Sequence, residues 1–418
     1  MTFYIYSLGC KVNSYECANI STRLLEEGFV YDAKNPDIII INTCSVTHVA
    51  DQKSRQHIRK FRKNYPTSII AVMGCYAQAN SDFIKNELHA DIVIGTSNRD
   101  ELVDYIKEYL KEHKQILNVN PDIRNYDYEE LGITSYSENI RAYLKIQDGC
   151  DNFCTYCIIP YRRGKSRSRD FDMVIKEAKE LVNKGYKEIV LTGVHIGKYG
   201  HDNGSSFSDL VEELCKIEDL YRLRISSIEE SEIDDKLISL IASNDKIAKH
   251  LHIPLQSGCD KTLKRMARKY DSTAFYNKIA KIKELLPNIC LTTDYIVGFP
   301  GETDEDFLES YNFLKKVGFV QVHTFPYSPR EGTPAASYKD QVPPNVKHDR
   351  ELKVLSYSVL AWEKYSESFN NQEVEVIIEK FDEQKGKYYG HASNYLDIYL
   401  EGKDYKVGDI VKTIYKYA

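Results

Sequence analysis

The sequence predicts an α/β protein in three parts: an N-terminal doubly wound parallel sheet, a partial (β/α)6 barrel and a small, OB-like antiparallel β-barrel at the C-terminus. Three observations carry this. Short apolar runs alternate with helical patterns in two successive series, and that alternation implies parallel sheets. The tail of the chain switches to short strands separated by turns, which implies antiparallel pairing. The length, 418 residues, exceeds what one hydrophobic core ordinarily serves.

In the first series, 3–7, 37–42, 68–73 and 91–94 read as strands, and 14–26, 49–63, 81–86 and 99–112 as helices. The stretch that follows lacks periodicity and reads as a linker, 116–138. In the second series the strands are 143–147, 188–192, 223–227, 250–255, 290–297 and 320–325, with helices such as 173–184, 234–243, 274–286 and 304–316 between them. Six such units make a partial barrel, since a closed one needs eight. The last strands are 374–379, 387–392, 396–400 and 410–414. The domains are therefore 1–115, 139–367 and 368–418.

Composition narrows the function. Hydrophobic residues are 42% and charged residues 28%, a globular balance. No apolar run is long enough to cross a bilayer and the N-terminus does not read as a signal peptide, so a cytoplasmic protein is expected, with no membrane partner. The formal charge is −6, so a nucleic acid must be held by local basic patches. Ten cysteines in a reducing compartment point to metal or redox chemistry.

Two cysteine sets stand out. Cys150, Cys154 and Cys157 lie on one loop directly after the first barrel strand, at the strand end where barrel enzymes build active sites. Three thiolates can hold three irons of a [4Fe–4S] cluster and leave the fourth open to a small molecule. A zinc knuckle would want a fourth Cys or His close by, and none follows. Cys10, Cys44 and Cys75 are far apart in sequence, yet each follows one of the first three strands. In a parallel sheet those ends share one edge, so the three thiols converge there and suit a second cluster with an open iron. Gly9 and Gly74 precede two of them and would let backbone approach closely.

The Cys-x3-Cys-x2-Cys spacing, with Tyr156 before the last cysteine, resembles the radical S-adenosylmethionine (SAM) signature. The whole chain resembles the methylthiotransferase family, through SLGCKVN (7–13), INTCSVT (41–47), GCYAQ (74–78), DGCDNFCTYCIIPYRRGKSRSR (148–169), PLQSG (254–258), DYIVGFPGET (294–303) and GHASNYLDI (390–398). The form GCKVN resembles the branch acting on N6-threonylcarbamoyladenosine beside the anticodon, at position 37 of tRNA. The resemblance implies a C-terminal TRAM module and two [4Fe–4S] clusters, held by Cys10, Cys44 and Cys75 and by Cys150, Cys154 and Cys157. It implies that the N-terminal cluster carries the sulfur, that one SAM methylates it, and that a second SAM yields the adenosyl radical. The C2 hydrogen of the adenine is then replaced by SCH3. An electron donor such as flavodoxin or ferredoxin and a sulfur donor complete the partners.

The same resemblance places SAM across the barrel top. Thr192 and Gly193 would meet the methionine amine, Ser227 and Glu229 follow the third strand, Gln256 and Ser257 would meet the ribose, and Val297 and Gly298 would pack on adenine. Tyr156 joins this set. RNA phosphates have three candidate patches: residues 53–63, with basic residues on the second helix; Arg162, Arg163, Lys165, Arg167 and Arg169; and Lys264, Arg265 and Arg268, with Lys261 and Lys269 beside them. Much of the first patch reads as a solvated helix face; the middle patch reads as functional, with service to the cluster or SAM the alternative for one of its arginines. From residue 368 on, seven lysines face nine acidic residues, which argues against a generic electrostatic grip by the last module. Its Tyr388, Tyr389 and Tyr395 would then have to contribute. The histidines near element ends, among them His195, His250, His252 and His323, read as structural. Other substrates compatible with the pattern are isopentenyladenosine in tRNA and a ribosomal-protein aspartate; a non-catalytic alternative is a redox-sensing iron–sulfur protein that binds RNA.

Overall fold

A computed structural model describes residues 1–124, 126–132, 135, 140–402 and 404–417. The N-terminal sheet is wholly parallel, in the order Val30–Tyr31, Thr2–Ser7, Ile38–Thr43, Ile69–Gly74, Ile92–Ile94, Ile116–Asn118. Helices cover both faces, so Ile38–Thr43 and Ile69–Gly74 are buried at every residue, which explains their unbroken apolar reading. Ile38 to Ile41 are fully buried, each contributing roughly 1.5–3 kcal/mol. The chain reverses its direction of growth between the first strand and Ile38–Thr43. In open α/β sheets ligands gather in the crevice at that switch point. Cys10 and Cys44 follow those two strands, and Cys75 follows the next.

The edge strands Val30–Tyr31 and Ile116–Asn118 are too short to leave a sequence signal. The third helix begins at Cys75 rather than at residue 81, and the fourth at Leu102 rather than at 99. The expected linker is a packed joint. Ile123 and Leu131 are buried, and the hydroxyl of Tyr128 donates to the Lys145 carbonyl at 3.0 Å. Parts of it, 125, 133–134 and 136–138, lie outside the described residues.

The barrel has six parallel strands in sequence order: Arg141–Lys145, Glu188–Thr192, Arg222–Ile225, His250–His252, Cys290–Val297 and Gln321–Pro326. Two three-stranded sheets meet through bridges Leu223–Ile247 and Ser227–His252. The main hydrophobic core lies between these strands and the outer helices Phe171–Asn183, Phe207–Cys215, Asp235–Ser243, Ser272–Leu285 and Asp304–Val317. Side chains cap all five of those helices, including a Thr303–Asp306 capping box. The sequence reading had no counterpart for Pro344–Ser368, a helix that starts with proline at its first position and packs on the last barrel strand. No helix among the described residues is long and apolar enough to cross a membrane.

The C-terminal module is a four-stranded antiparallel sheet, ordered Asp397–Leu400, Lys387–Ala392, Glu373–Asp382, Ile410–Ile414. Its core includes Trp362, Tyr365 and Phe369 from the long helix region, which ties it to the barrel. Polar contacts fix the seat. Arg222 donates to the His391 carbonyl at 3.1 Å, Arg224 donates to that of Ser393 at 3.0 Å, and Arg224 lies 3.8 Å over the Tyr395 ring. The same guanidiniums converge on Glu188 inside the barrel, with Arg141 at 2.7 Å, Arg224 at 2.9 Å and Arg222 at 3.2 Å. Burial opposes ionisation of Glu188, yet Arg224, Arg141 and Arg222 hold its carboxyl at about 2.

Glu188 therefore joins the strand register to the C-terminal seat. Glu188→Gln leaves three guanidiniums without their shared anion and should cost about 3–5 kcal/mol of stability, read by urea denaturation. A variant as stable as the parent would overturn this account.

Candidate active site

Cys10, Cys44 and Cys75 meet at the C-terminal edge of the N-terminal sheet. A Cβ on Gly9 would stand 2.7 Å from Cys44 Cβ and 2.9 Å from Cys44 Sγ, and Gly9 sits at φ +104°, so both space and conformation require glycine. Cys44 and Cys75 are buried, while Cys10 is exposed. Burial pushes the Cys44 thiol up to about 12, with Cys75 and Cys10 as like-charged neighbours. The Cys75 thiol is also raised by burial, against the pull of the Arg163 guanidinium, whose Nε donates to Sγ at 3.3 Å.

Arg163 is the hub of a buried ionic cluster between the two larger domains. It reaches Glu16 at 3.0 Å, Asp148 at 3.1 Å and Asn13 Oδ1 at 3.0 Å. Glu16 comes from the first helix of the N-terminal domain and also binds Arg99 and Lys145. Asp148 stands 2.6 Å from Lys145 and 3.5 Å from Arg167. Glu129, from the expected linker, holds Arg99. Burial raises Asp148, but Lys145 and the arginines hold it well below the usual carboxylate range.

The second cysteine set lies on the loop after Gln147–Asp148. Cys150 Sγ is 3.5 Å from His195 Nδ1 and accepts from Asn152 N at 3.5 Å. Cys154 Sγ accepts from Arg268 Nη1 at 3.4 Å. Burial and the neighbouring Cys154 push the Cys157 thiol up to about 12. Glu232 Oε1 stands 2.7 Å from His195 Nε2. Burial disfavours a charged imidazole, but Cys150 and Glu232 push His195 up to about 10.

Among the described residues no three His, Cys, Asp or Glu converge on a single metal ion. A four-iron cube offers each thiolate a different iron, so its ligands stand farther apart than those of one ion. The surroundings suit such a group. Each set has cationic donors on its sulfurs, Arg163 for one and His195 with Arg268 for the other. Partners of this kind orient thiolates and balance their charge.

A cavity of about 680 Å³ opens beside Cys10 and runs to the ends of the second and third barrel strands. Cys10 and Lys11 form one wall; Thr192, Gly193 and Ser227 form another at the strand ends; His250, His252, Thr292, Asp294, Gln321 and His323 line the barrel interior; and His391, Tyr395 and Asp397 come from the C-terminal module. Three expected SAM contacts, Thr192, Gly193 and Ser227, therefore face the same space as Cys10. Glu229 and Tyr156 both bind Arg268 beside Cys154.

Four other expected SAM contacts are engaged within the barrel itself. Ser257 is fully buried with its hydroxyl 3.2 Å from Ser310 Oγ, and Val297 is fully buried in the barrel core. Gly298 gives its N–H to Glu302 at 2.7 Å. Gln256 bridges strands through its backbone, accepting from Ile296 N and donating to Asp294 O, both at 2.9 Å. These four are packing or backbone positions.

Four of the arginines expected to bind RNA point inward. Arg163, Arg167 and Arg169 are 1–3% exposed, with Arg169 held by Glu130 and Glu177. The Arg268 side chain is 4% exposed and pairs with Glu229. None can reach a phosphate. Arg265 spends itself on Asp340 at 2.8 Å, and Arg162 is half-buried near Cys75. Lys165, Lys264 and Lys269 stay exposed. Conversely, His195, read as structural, touches Cys150; its place directly after Thr192 and Gly193 was the available signal.

Residues 144–314 match the Radical SAM superfamily, and residues 2–95 match the Uncharacterized protein family UPF0004. The threonylcarbamoyladenosine tRNA methylthiotransferase MtaB of Bacillus subtilis (strain 168) is 44% identical, over 98% of this chain and 93% of its own. A tRNA-2-methylthio-N(6)-dimethylallyladenosine synthase of Clostridium botulinum (strain Hall) is 37% identical, over 92% of this chain and 88% of its own. Among solved structures, the radical SAM methyltransferase TsrM of Kitasatospora setae superposes with a TM-score of 0.58 at 13% identity, covering 80% of this chain and 77% of that one. That last likeness shows the fold alone. The identity to MtaB, running nearly the whole length of both chains, settles the kinship: the protein belongs to the radical SAM methylthiotransferase family.

Proposed function

We propose that the protein methylthiolates C2 of N6-threonylcarbamoyladenosine beside the anticodon of tRNA. The observation that carries this is the single cavity faced by Cys10, from one cysteine set, and by the Thr192, Gly193 and Ser227 strand ends next to the other. A sulfur held at Cys10, Cys44 and Cys75 and a SAM held over Cys150, Cys154 and Cys157 would address one substrate atom. The relative named for this substrate supports the choice of branch. The relative named for dimethylallyladenosine supplies the second reading, which nucleoside analysis distinguishes.

In this proposal each cysteine set holds a [4Fe–4S] cluster. When bound, the reduced cluster and SAM supply hydrogen abstraction strong enough for an aryl C–H, and SAM supplies a methyl group. The chain's own residues do the rest. Arg163, Arg268 and His195 balance thiolate charge. Loop RNA readily splays a base out of its stack into the mouth of such a cavity. The electron arrives from a flavodoxin- or ferredoxin-class donor, and the sulfur donor is a separate partner.

Two outcomes follow for the anaerobically reconstituted protein. Cys10→Ala should lose about four irons per chain and all methylthio transfer while still cleaving SAM to deoxyadenosine; Cys150→Ala should lose that cleavage too. Iron analysis and mass spectrometry of digested tRNA read both, and full iron with full transfer in Cys10→Ala would sink the two-cluster reading. Arg163→Lys keeps a cation near Glu16 and Asp148 but withdraws the fork from Cys75. It should stay folded and lose about half its iron faster than the parent under chelator; equal release rates would remove Arg163 from that role.

A further inference from the structure

The cavity beside Cys10 holds a cation that no group among the described residues pairs. Its neighbours are matched: Arg141, Arg222 and Arg224 share Glu188; His252 stands 3.3 Å from Asp294; and His391 stands 2.8 Å from Glu379 and 3.2 Å from Asp397. Lys11 lines the same cavity, and among the described residues its ammonium has no hydrogen bond or ion pair. Its electrostatic neighbours are the cations Arg224 and Arg141 and the anionic groups Glu188 and Cys10. It is in turn a neighbour of His250 and His323. With those guanidiniums already shared by Glu188, the exposed Lys11 ammonium is, among the described residues, the one cation of this wall still able to take an added anion in a charge-assisted bond. The backbone adds to this. Lys11 opens the helix Lys11–Glu26, whose N-cap, Cys10, gives no side-chain hydrogen bond to the first N–H groups.

A second feature lies on the facing wall. His250 is 6% exposed, and among the described residues its Nδ1 has no hydrogen-bond partner. Its Nε2 and the Nδ1 of His252 both meet Thr292 Oγ1, at 3.0 and 2.9 Å. The hydroxyl can donate to only one ring, so the other ring must donate to it. The wall therefore offers hydrogen-bonding groups in a fixed array, in the same cavity as the Lys11 ammonium.

A ligand that answers both features carries a carboxylate close to neutral hydrogen-bonding groups. The threonylcarbamoyl group does so, with its threonine carboxylate, hydroxyl and urea; a prenyl group does not. We infer that Lys11 binds the carboxylate of the threonylcarbamoyl side chain and that His250, positioned by Thr292 and His252, meets its neutral urea or hydroxyl. The inference rests on the functional reading above and deepens it, because it makes Lys11 the residue that sets substrate choice. A substrate without the carboxylate forgoes the charge-assisted bond to the ammonium, and a site built for a polar group rejects analogues that lack it. Because Lys11 adjoins Cys10, the same contact would hold the side chain in register with the sulfur site.

The test compares reconstituted wild-type, Lys11→Met and Lys11→Arg proteins on two tRNAs. One bears threonylcarbamoyladenosine, the other its carboxamide analogue. Wild type should prefer the carboxylate by about 100-fold in kcat/KM. Lys11→Met should lose about that factor on the carboxylate substrate, mainly through KM, and its preference should fall to within about threefold. Lys11→Arg should recover most of it. A wild type that treats both tRNAs alike, or a Lys11→Met protein that keeps the preference, overturns the inference. The wild-type ratio decides alone where the variant loses iron. A wild type that leaves threonylcarbamoyladenosine untouched and modifies isopentenyladenosine overturns the functional reading, and this inference with it, by a separate signature.

Discussion

The contact between Arg163 and its four partners sets the geometry on which both cysteine sites depend. Arg163 follows Cys157 by six residues, so it is anchored to the barrel's cysteine loop, yet it donates to Cys75 and Glu16 of the N-terminal domain. Charges leave water at a high cost, recovered only where several partners meet them in good geometry. Here four cations, Arg99, Lys145, Arg163 and Arg167, meet three carboxylates, Glu16, Glu129 and Asp148. The surplus is positive and Arg163 turns it toward Cys75. An ionised thiolate there completes the balance, so domain docking and sulfur chemistry draw on one set of charges. Truncating one partner would disturb both.

Much of this was legible in the sequence because parallel sheets order their strand ends. Cys10, Cys44 and Cys75 could be placed on one edge without any local motif, since each closes a strand. Cys150, Cys154 and Cys157 were legible from spacing alone. What stayed hidden depends on partners far along the chain. The run Arg162 to Arg169 looks like a basic surface when read locally. Its partners Glu16, Glu130 and Glu177 lie up to 147 residues away, and only the fold brings them in. Likewise His195 gives no hint of Cys150 until the second barrel strand is laid beside the first, in the register Thr192–Lys145. The helix Pro344–Ser368 buries only four residues, so its apolar pattern is faint. Edge strands of two or three residues have no periodicity to read.

The corrected arginines change how the barrel top is understood. Glu229 and Tyr156 were expected to meet SAM directly, but both grip Arg268, which touches Cys154. A carboxylate and a phenol thus set one guanidinium against a thiol, an arrangement matched on the other side by Glu232, His195 and Cys150. Two of the three loop cysteines receive a cation backed by a carboxylate. That pairing keeps the cation's own charge from being left over, and it fixes the donor's direction. Thr192, Gly193 and Ser227 are left to face the cavity.

A division of labour between the two basic residue types follows. Arginine presents a planar fork that several carboxylates can share, and it tolerates burial better than lysine. Arg99, Arg163, Arg167, Arg169, Arg222, Arg224 and Arg268 are all spent inside in this way. The cations left on the surface near the site are mainly lysines, Lys165, Lys264 and Lys269, with Lys53, Lys60 and Lys63 on the second helix. Lysine's hydrated point charge suits phosphate contacts that position a substrate without reading it. For a chain of net charge −6, grip on RNA would then be local, weak per contact and sensitive to salt. Selection would fall to the cavity, where Lys11 stands exposed on the wall beside Cys10 with no ion pair among the described residues.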